Sequence, residues 1–163
     1  MATPFAEHDF RVSIFYGLFV VRDSWCDAAD PAVVARGAVA AASTYQLEVR
    51  PRSLCAAVDL TVRVWAAQPV VDATGWDGHE RLALHCPTGD MVVEQITAGP
   101  AGVFAWPAGA GVYGLHVYWR SGAAADEAER SLDGTERVLI DAWLEGPLPP
   151  DDDDEEFHSE EWG

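Results

Sequence analysis

The sequence predicts an all-β domain: a two-sheet antiparallel β-sandwich of about eight strands, with one short helix and a disordered acidic C-terminal tail. Three observations carry this. Segments in which apolar and polar residues alternate recur along the chain. Clusters of Gly, Pro, Asp and Thr punctuate them at short intervals. Apolar residues make up 49% of the 163, so one domain of this length buries a core without disulfide or metal staples.

Taken in order, Phe10 to Val21 alternates as one long strand, with Phe10, Val12, Ile14, Tyr16, Leu18 and Val20 on one side. Phe15 and Phe19 make the opposite side apolar too, and Gly17 marks a bulge or a close backbone approach. Asp23 to Asp27 leaves the strand as a loop that holds Trp25, expected to cap one end of the sandwich. Asp30 then suits an N-cap and Pro31 the first helical position, giving a short helix that stops near Gly37, with Ala38 to Ala42 able to extend it to Ser43. Tyr45, Leu47 and Val49 alternate up to Pro51. Val58, Leu60, Val62 and Val64 against Asp59, Thr61, Arg63 and Trp65 form the clearest half-buried strand.

Pro69 and Asp72 to Gly78 make a loop into the central feature. There Glu80 to Cys86 alternates, Pro87-Thr88-Gly89-Asp90 reverses the chain, and Met91 to Ile96 leads back, which reads as a β-hairpin. Leu82, Leu84 and Cys86 take its inner face, Arg81, Ala83 and His85 the outer. Strands follow at Val103 to Trp106 and Tyr113 to Trp119. Ser121 to Thr135 reads as a long surface loop with one helical turn around Asp126 to Arg130. The closing strand places Val138, Ile140, Ala142 and Leu144 on one face and Arg137, Leu139, Asp141 and Trp143 on the other. Residues 1–149 form the sandwich domain and 150–163 the tail, whose composition cannot offset the entropy of ordering.

Charge excludes several functions. The chain has 27 acidic residues against 10 basic ones, and all ten are arginine. Asp151 to Gly163 holds eight of the acids; without it 19 acids still face 10 arginines, a net charge of −9. Direct binding to nucleic acid needs basic residues that neutralise phosphates, so it is not expected. A basic protein partner is favoured, with association accelerated by the field and slowed by salt. Cys26, Cys55 and Cys86 are odd in number and lack Cys-x-x-Cys spacing, which places the chain in a reducing, cytoplasmic compartment. No apolar run reaches the roughly 18 residues of a membrane span.

Motifs with mechanical content are missing. There is no Gly-x-Ser-x-Gly elbow, and without lysine no phosphate-cradling loop. Asp77, His79 and Glu80, with His85 and Cys86 nearby, match no metal-ligand spacing, and His85 and Cys86 point to opposite faces of a strand. No enzyme activity, metal or cofactor is expected. The candidate site is instead a strand face. Arg63, Trp65, His116, Tyr118, Arg120, Arg137, Asp141 and Trp143 all point away from the core on neighbouring strands, and Trp, Tyr and Arg dominate binding hot spots. Trp65, Tyr118, Trp143 and Asp141 are the partner-binding candidates there, with the reading of these aromatics as covered core kept open. The tail supplies Asp151, Asp152, Asp153, Asp154, Glu155, Glu156, Phe157 and Trp162, aromatic anchors among acids that imitate a phosphate backbone.

The runs Ser13-Ile14-Phe15-Tyr16-Gly17-Leu18-Phe19-Val20 and Val138-Leu139-Ile140-Asp141-Ala142, Trp25 with the helix and Gly37, Leu82 to Val93 around Pro87-Thr88-Gly89, and Pro107 to Tyr113 carry a resemblance. Together they resemble the competence protein J family, small bacterial proteins that inhibit a DNA-entry nuclease, and a wider group of bacterial β-sandwich proteins. The Trp76-Asp77 loop and the Pro-Thr-Gly turn are similar to that wider group. The resemblance covers most of Phe10 to Leu144, and the acidic tail is outside it. It implies a non-enzymatic, acidic protein-binding module, an inhibitor or immunity partner of a basic enzyme such as a nuclease. A small-ligand or carbohydrate-binding sandwich that stacks sugars on exposed Trp is the alternative.

Overall fold

The computed structural model describes residues 3–14, 17–26, 39–51, 57–96, 98–120 and 135–150. Ten strands are present: β1 (Ala6–Ser13), β2 (Phe19–Asp23), β3 (Ala40–Ala42), β4 (Gln46–Val49), β5 (Ala57–Trp65), β6 (Gly78–Cys86), β7 (Asp90–Gln95), β8 (Gly99–Ala105), β9 (Gly111–Arg120) and β10 (Thr135–Gly146). They form two open five-stranded sheets, β1-β5-β10-β9-β6 and β3-β4-β2-β7-β8. One apolar core lies between them, from Val12, Val58, Val62, Leu84, Leu115 and Ile140 on the first sheet and Phe19, Leu47, Val49, Met91, Val93 and Phe104 on the second. The alternation that marked these segments in the sequence is the alternation of buried and outward positions in the strands.

All-β architecture agrees with expectation; several details correct it. The described residues form ten strands rather than about eight, and the first sheet is mixed, because β5 and β10 run parallel from Ala57↔Thr135 to Trp65↔Trp143. Phe10 to Val21 is not one strand. The chain turns at Gly17 (φ +75°) and β1 and β2 join different sheets, which is why both faces of this segment are apolar. Ala40 to Ala42 do not extend a helix; they pair with β4, and Ala40 is buried in the core. The short helix expected from Asp30 to Gly37, the loop over 121–134 and the tail over 151–163 lie outside the described residues.

The central hairpin is also corrected. β6 pairs with β9 and β7 pairs with β2 and β8, so Pro87 to Gly89 carries the chain from one sheet to the other. Asp23, fully buried at the end of β2, makes this arch. Its carboxylate accepts hydrogen bonds from the Trp25 amide (2.9 Å), the Thr88 amide (3.1 Å) and hydroxyl (2.8 Å), and the Gly89 amide (2.9 Å). Four donors on one carboxylate replace the ladder bonds that a hairpin would have used. Gly89, at φ +80°, sits against the neighbouring β8–β9 connection, where a Cβ would meet the Gly109 backbone at 2.6 Å.

Candidate functional site

Parity along the strands of the first sheet sends a second set of side chains away from the core. They are Arg63 and Trp65 on β5, Asp141 and Trp143 on β10, His116, Tyr118 and Arg120 on β9, and His79 and Arg81 on β6. Register brings them together. Asp141 lies beside Arg63 on one neighbour and His116 on the other, and Trp143 lies beside Trp65 and Gly114. Gly114 is needed there, because a Cβ would meet the Trp143 ring at 2.3 Å.

Asp141 anchors the group. Arg63 donates to it through Nε (2.7 Å) and Nη2 (2.9 Å), and Trp65 Nε1 adds a third bond at 2.9 Å. The two-pronged pair holds the Arg63 guanidinium above its ordinary pKa, the bond to Asp141 outweighing burial. Arg63 lies over the Trp65 ring, and Arg81 lies over Trp143 while donating to Glu145 at 2.7 Å. His79 stacks on Tyr118, and His116 packs on Trp143 with ring centroids 4.9 Å apart. His116 is 2% exposed, and neither ring nitrogen has a hydrogen-bond partner among the described residues. Burial first, then the positive charge of Arg81, pushes its pKa down against the pull of Asp141, so the ring is neutral at pH 7. Burial pushes the Tyr118 phenol up.

Tyr118, Asp141 and Trp143 are therefore buried, although they point away from the core. The connection from β5 to β6 explains this. β5 and β6 run parallel and are separated in the sheet by β10 and β9, so residues 66–77 must cross the outer face. Trp76 packs on Tyr118 and beneath the Arg120 guanidinium, and the Asp77 amide donates to the Trp119 carbonyl at 2.9 Å. This strap is the cover that the sequence reading lacked, and Trp76 and His79 are the site residues it missed. Their signal was the length of the connection, which exceeds what a turn between adjacent strands needs.

Beside the strap a groove of about 630 Å³ runs along the same face, lined among others by Glu7, Asp9 and Arg11 of β1, Asp59 and Arg63 of β5, Arg137 and Leu139 of β10, and Trp76. Five of the seven described arginines, Arg11, Arg63, Arg81, Arg120 and Arg137, are on this face, the other two being Arg22 and Arg50. Of the partner-binding candidates, Trp65, Tyr118, Asp141 and Trp143 come together here, with Trp65 the most accessible of the four. Trp25, 58% exposed, packs edge-on against Tyr45 away from this face. Asp151, Asp152, Asp153, Asp154, Glu155, Glu156, Phe157 and Trp162 lie outside the described residues. Among the described residues no three His, Cys, Asp or Glu side chains are grouped to hold a metal ion, and no helix is long and apolar enough to cross a membrane. Cys86 is a buried free thiol that accepts from Trp106 Nε1 at 3.2 Å, and burial pushes its pKa up to about 12.

No family model and no curated protein sequence matches the chain. Two solved structures are similar to it. One is ComJ from Bacillus subtilis, described as the inhibitor of the DNA-degrading activity of NucA, with a TM-score of 0.59 at 17% identity over 88% of this chain and 98% of that one. The other is crocagin biosynthetic gene J, with a TM-score of 0.53 at 16% identity over 86% of this chain and 99% of that one. In the arrangement of its two sheets, the chain has the ComJ-like fold.

Proposed function

We propose that this chain is a non-enzymatic protein-binding module of the inhibitor type, acting in the cytoplasm on a basic enzyme, with a nuclease as the partner. The observation that carries the reading is the strapped outer face of the β1-β5-β10-β9-β6 sheet, in a fold shared with a nuclease inhibitor. That face holds aromatic rings and guanidinium groups in fixed positions, so a partner meets it with little ordering cost. Trp65 meets the partner directly, and Tyr118, Asp141 and Trp143 set the shape of the surface beneath it. The acids of the body and of the tail, Asp151 to Asp154 with Glu155 and Glu156, attract a basic enzyme, and Phe157 and Trp162 add apolar anchors.

The test is association kinetics between the purified chain and a panel of basic bacterial DNases, NucA of Bacillus subtilis among them, at rising salt. The reading expects one tight complex whose association rate falls about 10-fold or more as salt is raised. Binding that ignores salt, or no complex with any member, would count against it. A shift of tryptophan emission by sugars with no charged partner would support the carbohydrate-binding alternative instead.

A further inference from the structure

Among the described residues the two open sheets end on four strands, β1 and β6 in the first and β3 and β8 in the second. An edge strand offers unpaired backbone groups to any second strand, and charge or shortness guards it. β1 carries Glu7, Asp9 and Arg11, β6 carries Glu80 and Arg81, and β3 is three residues long. β8 has seven residues and none is charged. Pro100 and the register shift between Val93 and Glu94 guard its first residues, which leaves Ala101 to Ala105 unguarded. Val103, in the middle, is 69% exposed.

The phase of the ladder fixes which backbone groups are open. The Trp106 amide donates to the Gly89 carbonyl at 2.8 Å, and the same register runs on through Phe104↔Met91 and Gly102↔Val93, so Phe104 and Gly102 exchange their hydrogen bonds with β7. On the other side of β7 the Ser24 amide donates to the Asp90 carbonyl at 2.8 Å, which sets the same phase. Ala101, Val103 and Ala105 therefore turn their N–H and C=O groups away from the sheet. Among the described residues no backbone hydrogen bond meets them there.

We propose that β8 pairs antiparallel with β8 of a second copy of this chain, about a two-fold axis at Val103, and joins the two β3-β4-β2-β7-β8 sheets into one. The open positions are symmetric about Val103, so this register sets Val103 on Val103 of the partner subunit and Ala101 on Ala105 of the partner subunit, with each pair in hydrogen-bonding phase. Val92 lies beside Val103 on β7, and the joined surface gains a row of four valines. No charge enters the contact. Glu94 is held by Arg22 at 2.6 Å, and Asp90, opposite Ala105, lies about 20 Å from its symmetry mate by strand spacing, beyond the screening length at physiological salt. Five paired residues per chain fall short of a standard interface, so the dimer is weak, and salt strengthens it by screening two acidic chains. The axis is perpendicular to the joined sheet, so both strapped faces stay open and point the same way. The dimer thus stands apart from the protein-binding reading, which concerns the other sheet.

The experiment is sedimentation equilibrium of the full chain from about 10 to about 500 µM, at low and at high salt. Monomer passing to dimer is expected, with a Kd about 10-fold or more tighter at high salt. Val103→Pro removes only an outward N–H, and Val103→Lys sets like charges opposite each other across the axis. Both are expected to stay monomeric through that range with hydrogen-exchange protection of the Phe104 amide retained; if Val103→Pro loses that protection, Val103→Lys decides. A chain that is monomeric throughout at high salt, a dimer weakened by salt, or a dimer that Val103→Lys forms as tightly as the wild type overturns the inference.

Discussion

Asp23 and His116 are buried polar residues with opposite accounts. Removing the Asp23 carboxylate leaves the Trp25, Thr88 and Gly89 amides and the Thr88 hydroxyl without their acceptor inside the arch. Asp23→Ala is therefore expected to cost about 3 kcal/mol, read as a lower urea midpoint with an unchanged slope. His116 has no hydrogen-bond partner to lose among the described residues. His116→Phe keeps the ring against Trp143 and removes two unpaired nitrogens, so it is expected to add about 1 kcal/mol of stability at pH 7. The pH dependence has a definite sign. Burial and Arg81 hold the folded pKa below the ordinary value of 6.5, so the stability is fully present above 6.5 and is lost as pH falls through the lower folded value. Urea midpoints at pH 7.5 and 5.5 should diverge less in the variant than in the wild type; equal divergence would show that His116 does not titrate this way. At this scale the outward direction of His116, Tyr118, Asp141 and Trp143 was legible from period-two alternation. Their burial was legible only as an open alternative, because the cover comes from Trp76, on a different segment.

Among the elements, the two that matter most are both connections. A hairpin and an arch make the same local demand on Pro87-Thr88-Gly89-Asp90, a tight reversal between alternating segments. What separates them is which strands pair, a non-local fact decided here by β9 taking β6 and β2 taking β7. The β1–β2 break has the same cause, although its doubly apolar faces and Gly17 were visible in the sequence. The strap follows from the parallel β5–β10 pair, which no local pattern announces. Trp76→Ala tests it. Losing the Tyr118 and Arg120 contacts is expected to cost about 2 kcal/mol. It should also release the strap, seen by hydrogen exchange as lost protection of the Trp76 and Asp77 amides while β9 and β10 stay protected. Retained protection at those two amides would mean that the strap is held by something other than Trp76.

For the whole molecule, alkaline pH gives a clean readout, since the chain contains no lysine. Burial pushes Cys86 from 9.0 up to about 12 and Tyr113 from 10.0 up to about 12. Both groups hold their protons more tightly folded than unfolded, so their stability is fully present below about pH 9 and is lost as pH rises toward 12. Urea midpoints at pH 8, 10 and 11 should fall in that order, with a shallower fall for Cys86→Ala; a flat profile would contradict the burial of both groups. The all-β, two-sheet class was legible from alternation and turn chemistry, and the ComJ-like fold from the resemblance of the runs quoted for it, while the parallel β5–β10 pair was not legible. The charge excess was legible too, but not the gathering of Arg11, Arg63, Arg81, Arg120 and Arg137 on one face, which depends on strand order. The most direct test of the inhibitor account is the titration of a basic nuclease's DNA-degrading activity with the purified full chain at low salt. The account predicts linear loss of activity that is complete near an equimolar ratio, with no lag and no turnover. Full nuclease activity at a large excess of the chain, for every basic nuclease encoded in the source genome, would contradict it.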